Sequence, residues 1–117
     1  MSATELSDGF SVDVDPDRDG VVVRPRGELD LATAPALHRQ LQELCDAGWR
    51  RLVVDFGGLT FIDSSGIHLA LTWAGRAAQD GIDIRFVSGS PVIQLAFDVT
   101  GVRDLFVWTE PRQWSDA

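Results

Sequence analysis

The sequence predicts an α/β fold: a mixed sheet of about five strands, opened by an antiparallel hairpin and continued by parallel βα units, with helices chiefly on one face. Three patterns predict it. Phe10, Val12 and Val14 alternate with Ser11, Asp13 and Asp15, the two-residue period of a half-buried strand. Leu52, Val53 and Val54 stand in a row, the mark of a strand covered on both faces. After the opening hairpin, helical patterns alternate with strand patterns, and right-handed crossovers then lay the later strands parallel.

The elements follow in order. Pro16-Asp17-Arg18-Asp19-Gly20 is a turn between the first strand and a second, Val21 to Leu29. Pro25 costs that strand a ladder bond, so a bulge or irregular stretch is expected there. Thr33 is placed as the N-cap of a first helix with Pro35 near its start. Leu37, Leu41, Leu44 and Cys45 recur at helical spacing, and Gly48 stops it. Arg51 to Phe56 is a strand, and after Gly57-Gly58 comes a short apolar link, Leu59 to Ile62. A second helix runs from about Ser65 to Gln79 and ends at Gly81. Ile82, Ile84, Phe86 and Val87 form the next strand. Pro91 to Val99 is a short third helix stopped by Gly101, and Leu105 to Trp108 is a last short strand. The 117 residues make a single domain, with a core from about 10 to 108 and loosely held ends at 1–9 and 110–117.

Composition narrows the function. Eighteen acids stand against ten bases, all arginine, for a net charge of −8. This argues against nucleic acid or an anionic membrane as the main partner, because both reward basic patches. One cysteine, Cys45, excludes a disulfide framework and a multi-cysteine metal site, and its place on the apolar side of the first helix makes it core. The apolar runs are too short to span a membrane, and Met1 to Asp8 has neither the basic nor the apolar region of a signal peptide, so a cytoplasmic protein is expected.

Motifs of catalysis and cofactor binding are missing. His38 and His68 are the only histidines, and each reads as structural or solvated. Ser64 is preceded by Ile62-Asp63, so no G-x-S-x-G elbow forms. Without lysine there is no phosphate-binding P-loop, and no G-x-G-x-x-G occurs. The expectation is a non-enzyme with no cofactor, no metal and no catalytic residue.

One local feature stands apart. Asp63-Ser64-Ser65-Gly66 follows a strand-like run and opens a helix. On spacing alone it is either a helix cap or a serine presented at a helix N-terminus, where N–H groups and the helix dipole tolerate an added phosphate.

At these residues the chain resembles the STAS domain, in particular the bacterial anti-sigma-factor antagonists. Gly27-Glu28-Leu29-Asp30-Leu31-Ala32-Thr33-Ala34, leading into a Leu-rich helix, resembles the family's first-helix start. Leu52 to Leu59 resembles its central strand, and Thr60-Phe61-Ile62-Asp63-Ser64-Ser65-Gly66-Ile67 its signature. The likeness runs from about Phe10 to Val107. It implies a STAS-type sheet, with Ser64 as phosphoacceptor and Asp63 its acidic neighbour. Ser65 and Gly66 match the helix start, and Asp30 and Thr33 lie in the loop beside it. It also implies a partner switch. The unphosphorylated protein binds an anti-sigma factor with serine kinase activity and frees a sigma factor. The kinase uses ATP to phosphorylate the serine and end the interaction, and a serine phosphatase resets it. The alternative is a STAS subunit of another assembly, such as a lipid-transport ATPase or a stress-signalling complex, without the switch.

His68 departs from the small or aliphatic residue often found at its position in the family, and Trp73 is unusual. On the second helix Gly66, Leu69, Trp73 and Arg76 form one stripe, and Ile67, Ala70, Leu71, Ala74 and Ala78 the better core stripe. Leu69 and Trp73 are then either part of a partner surface or buried under the third helix or the tail.

Overall fold

The computed structural model describes residues 3–7 and 9–111. Its strands are β1 (Ala3–Ser7), β2 (Phe10–Pro16), β3 (Val21–Leu29), β4 (Arg51–Asp55), β5 (Leu59–Ile62), β6 (Asp83–Val87) and β7 (Trp108–Thr109). Its helices are α1 (Ala34–Asp46), α2 (Ser64–Asp80) and α3 (Pro91–Val99). The sheet order is β1-β2-β3-β4-β6-β7, with β5 beside the far end of β3. β1, β2 and β3 pair antiparallel, and β3, β4, β6 and β7 pair parallel. The mixed sheet with an opening hairpin and parallel crossovers is therefore as the sequence predicts.

It is larger than about five strands. Ala3–Ser7, expected as part of a loose end, pairs with β2. Leu59–Ile62, expected as a link, is a strand parallel to Gly27–Leu29. Arg103–Leu105 forms a 3₁₀ turn, which moves the last strand on to Trp108–Thr109.

β3 changes neighbours along its length: Val21–Val23 pair with β4 and Gly27–Leu29 with β5. Pro25 lies between the two parallel pairings, and the antiparallel register with β2 runs through it unbroken, Val12 opposite Pro25. The irregularity expected at Pro25 sits instead between Gly27 and Glu28. Gly27 has φ +102°, and a Cβ there would stand 2.2 Å from the Gly9 carbonyl oxygen. Only glycine permits that approach, and it bends β3 away from β4 towards β5.

The helices bury their apolar sides in one cluster with the inner face of the sheet, so the main core lies on that face. At one end of it Phe97 and Phe86 meet Phe106 edge-on, with ring centroids 5.2 and 5.0 Å apart. Such pairs add about 0.5–1.5 kcal/mol each beyond the area they bury. Val22, Val53 and Val87 form a separate buried set on the other face.

Candidate functional site

The carboxyl ends of β3 and β5 lie side by side, Leu29 level with Ile62. The turn after β3 leads into α1, and the turn after β5 leads into α2. Asp63 N–H donates to the Leu29 carbonyl (3.2 Å), which ties the two turns together. Gly66 sits on this junction, where only a residue without a side chain fits between α2 and Leu29 and Ile62.

The first turn is braced from within. Asp30 Oδ1 accepts from the N–H groups of Ala32 (3.0 Å) and Thr33 (3.1 Å). The Thr33 hydroxyl donates to the Glu28 carbonyl (2.8 Å) and accepts from Asp30 N–H (2.9 Å). Thr33 does occupy the N-cap position of α1, but its hydroxyl serves the turn and makes no bond to the helix. It is buried. Asp30 and Thr33 therefore shape the turn, and what the turn presents is Leu31, 76% exposed. Leu31 did not stand out in the sequence reading, although a large apolar side chain in a turn that opens with Asp30 was the signal for it.

The second turn is a capped helix start. Asp63 Oδ1 accepts from Ser65 N–H (2.8 Å) and Gly66 N–H (3.2 Å). The helix begins at Ser64, one residue earlier than expected, and Ser64 is exposed. Two of the amides at this helix start, those of Ser65 and Gly66, are already taken by the Asp63 carboxylate.

An open groove of about 740 Å³ runs between the first turns of α1 and α2. Leu31, Ala34, Pro35 and His38 line one side, and Ser64, Ser65, His68 and Thr72 the other, with Leu69 between them. Its far end is pinned. The Trp73 indole N–H donates to His38 Nδ1 (3.0 Å), which requires that nitrogen to be unprotonated. The Arg76 guanidinium lies 4.1 Å from the centre of the Trp73 ring, and its Nη1 donates to Gln42 Oε1 on α1 (2.6 Å).

This arrangement corrects the stripe analysis of α2. Trp73 has no exposed surface, Leu69 is buried, and Gly66 is buried. Among the described residues His38 of α1 packs on the Trp73 ring and Arg76, further along α2 itself, lies over it; the tail from residue 112 on lies outside the described residues. Leu69 is buried but lines the groove, whereas Trp73 has no exposed surface. Of the residues assigned to binding, Ser64 is exposed, while Asp30, Asp63 and Ser65 are partly exposed.

Cys45 is buried on the inner side of α1. Burial pushes its thiol above the usual range, against the opposing charges of Arg76 and Arg50. Among the described residues, no three His, Cys, Asp or Glu side chains gather as a metal site would need. No helix among them is long and apolar enough to cross a membrane.

A mixed sheet with its helices on one face, and a serine at the start of the helix after β5, define a STAS-type domain. The chain belongs to that family: residues 12–107 match the family described as Mlab, STAS domain. Among its relatives is the anti-sigma-B factor antagonist of Staphylococcus aureus, 29% identical over 83 residues, 71% of this chain and 77% of that one. The fold also matches solved structures of SpoIIAA. The unphosphorylated anti-sigma factor antagonist aligns with TM-score 0.70 at 20% identity, covering 86% of this chain and 89% of that one. The phosphorylated form of this Bacillus cell fate determinant aligns with TM-score 0.65 at 20% identity, covering 86% and 92%.

Proposed function

We propose that this protein is a non-enzymatic anti-sigma-factor antagonist whose partner docks over the groove between α1 and α2, and that phosphorylation of Ser64 ends the interaction. The observation that carries the reading is the place of Ser64, exposed at the mouth of a mainly apolar groove and beside the projecting Leu31. The partner is an anti-sigma factor with serine kinase activity, a serine phosphatase resets the switch, and both meet the protein in the cytoplasm. The antagonists among its relatives support this reading.

The energetics favour a switch at this position. A phosphate adds roughly −1.5 to −2 charges to Ser64. A partner packed over the first turn of α2 must then pair or desolvate it, and an uncompensated buried charge costs about 3 kcal/mol or more. That weakens binding by roughly a hundredfold. The fold is little affected, because Ser64 is exposed and its charge stays in water.

The test is calorimetric binding to the cognate anti-sigma factor together with thermal melting. Ser64→Asp is expected to bind at least tenfold more weakly with an unchanged melting point. Ser64→Ala is expected to bind like the parent and to gain no phosphate on incubation with the kinase and ATP. Equal affinity of Ser64→Asp and parent places Ser64 outside the interface and overturns the reading.

A second reading is a STAS subunit of another assembly, such as a lipid-transport ATPase, in which Ser64 stays unmodified. The matched family is described by Mlab and not by the antagonists, which is the observation in its favour. Intact mass after kinase treatment separates the two.

A further inference from the structure

We propose that His68 is the charge partner of a phosphate carried on Ser64, so that the phosphate is held in the groove between α1 and α2 and not at the N-terminus of α2. The proposal rests on the phosphoswitch reading above and gives its phosphorylated state a structure.

The next two helix amides are taken. Asp63 Oδ1 already accepts from Ser65 and Gly66 N–H, and its carboxylate repels a second anion at that spot. The phosphate is thus turned outwards, along the helix surface. His68 is one helical turn on from Ser64, and both line the groove. Residues four apart on a helix have their Cβ atoms roughly 5–6 Å apart, a gap that a phosphoserine and an imidazole bridge together. The His68 ring is exposed, and no hydrogen bond or ring contact is found for it among the described residues.

One other donor faces the groove. From α1 the facing titratable side chain is His38, whose Nδ1 accepts from the Trp73 indole and whose proton therefore sits on Nε2; the His38→Gln arm of the test separates it from His68. From α2 it is Asp63, which is already negative and repels. No arginine lines the groove, and Leu31, Ala34, Pro35 and Leu69 offer no hydrogen to a phosphate. Thr72 donates its hydroxyl to the His68 carbonyl (3.0 Å). The His68 ring is exposed on the groove with neither nitrogen held by a hydrogen bond among the described residues. A phosphate folded back on it lies across the opening that a partner's apolar side chain enters.

The pairing has a pH signature. A phosphoserine loses its second proton at about pH 6, and a positive charge beside it lowers that midpoint. Protonated His68 favours the phosphate dianion.

The test uses the full chain with phosphoserine placed at position 64 by genetic encoding, followed by ³¹P NMR across pH 5–8. The phosphate titration midpoint of the parent is expected roughly 0.2–0.4 unit below that of the His68→Gln variant, the size of an exposed helical charge pair. His38→Gln is expected to keep the parent midpoint. Equal midpoints for the parent and His68→Gln overturn the proposal, and so does a shift abolished by His38→Gln alone. His68 is exposed, so its replacement leaves the fold intact, which amide spectra of the same samples verify. The measurement needs neither kinase nor anti-sigma factor. Its failure therefore leaves the switch reading standing, while loss of that reading shows in the calorimetry alone.

Discussion

A Cβ on Gly66 would stand 2.7 Å from Ile62 Cγ1, 2.9 Å from Leu29 Cγ and 3.0 Å from the Leu29 carbonyl oxygen. The two side chains could shift a little, but the carbonyl is the one that holds Asp63 N–H, so moving it loosens both turns of the site. Gly66→Ala is expected to cost about 1–3 kcal/mol in denaturant unfolding, the range for overpacking, despite the better helix propensity of alanine. Gly75 is the control. It lies on the same helix with nothing within 4 Å of an added Cβ, so Gly75→Ala is expected to stabilise by about 0.5–1 kcal/mol. Cys45 gives a second check at this scale. Its thiol is raised above the usual value of 9.0 by burial, so native protein is expected to react with a thiol reagent far more slowly than unfolded protein. The sign in pH follows. The unfolded thiol ionises first as pH rises through about 9, so this group's contribution to stability is intact below that pH and is lost progressively above it.

The helix pair α1 and α2 is fastened by a polar contact between the buried Trp73 indole and the exposed His38 ring. Trp73→Phe keeps an aromatic ring and removes the N–H, whereas His38→Ala keeps the N–H and strips its acceptor. The second change is expected to cost more, about 1–3 kcal/mol, because it leaves a buried donor unsatisfied. Urea unfolding of both single variants and the double variant is expected to give a coupling of about 0.5–1.5 kcal/mol, and a coupling of zero would mean the bond holds nothing. This pair also marks the limit of what the sequence tells. The strands at Phe10–Asp15 and Arg51–Phe56 are legible because two-residue alternation and a continuous apolar run have few other uses. So is the serine, because Asp63 to Gly66 reads as a cap whatever else it does. The buried side of α2 is not legible. Gly66, Ile67, Leu69, Ala70 and Trp73 are all buried, an arc that takes in both stripes. A helix resting on a sheet and against a second helix buries more than one stripe, and nothing in its own spacing says on which side the second helix lies. β5 was illegible for a related reason: four residues carry too little alternation to be told from a link, and its pairing is decided by the bend at Gly27.

At the scale of the whole molecule, the placing of all three helices on one face leaves the other face of the sheet to cover itself. Asp13, Arg24, Arg26, Asp55, Asp83 and Arg85 alternate there with valines, and they pair, the first two arginines across strands and Arg85 with Asp83 along β6. Arg24 Nε donates to Asp55 Oδ2 (3.1 Å), Arg26 pairs with Asp13, and Arg85 Nε donates to Asp83 Oδ1 (3.0 Å). Val53 has no exposed surface although no described helix lies over it. It is buried in a set with Val22 and Val87, among charged side chains whose long stems can cover apolar surface. This makes a face whose charges balance on a chain of net charge −8, and an outer surface unlike the apolar groove at the end of the sheet. The two regions should then respond differently to substitution. Arg24→Ala uncovers the valines and leaves the mostly buried Asp55 carboxylate without its arginine, so it is expected to cost about 2–3 kcal/mol in urea unfolding. Arg103→Ala breaks an exposed pair with Asp98, side chains 48% and 45% accessible, and is expected to change stability by less than about 0.5 kcal/mol. Neither residue lines the groove, so at temperatures where both variants are folded, binding of the anti-sigma factor is expected to match the parent within about twofold, or ~0.4 kcal/mol. Weakened binding by folded Arg24→Ala would show that the open face of the sheet, and not the groove alone, meets the partner.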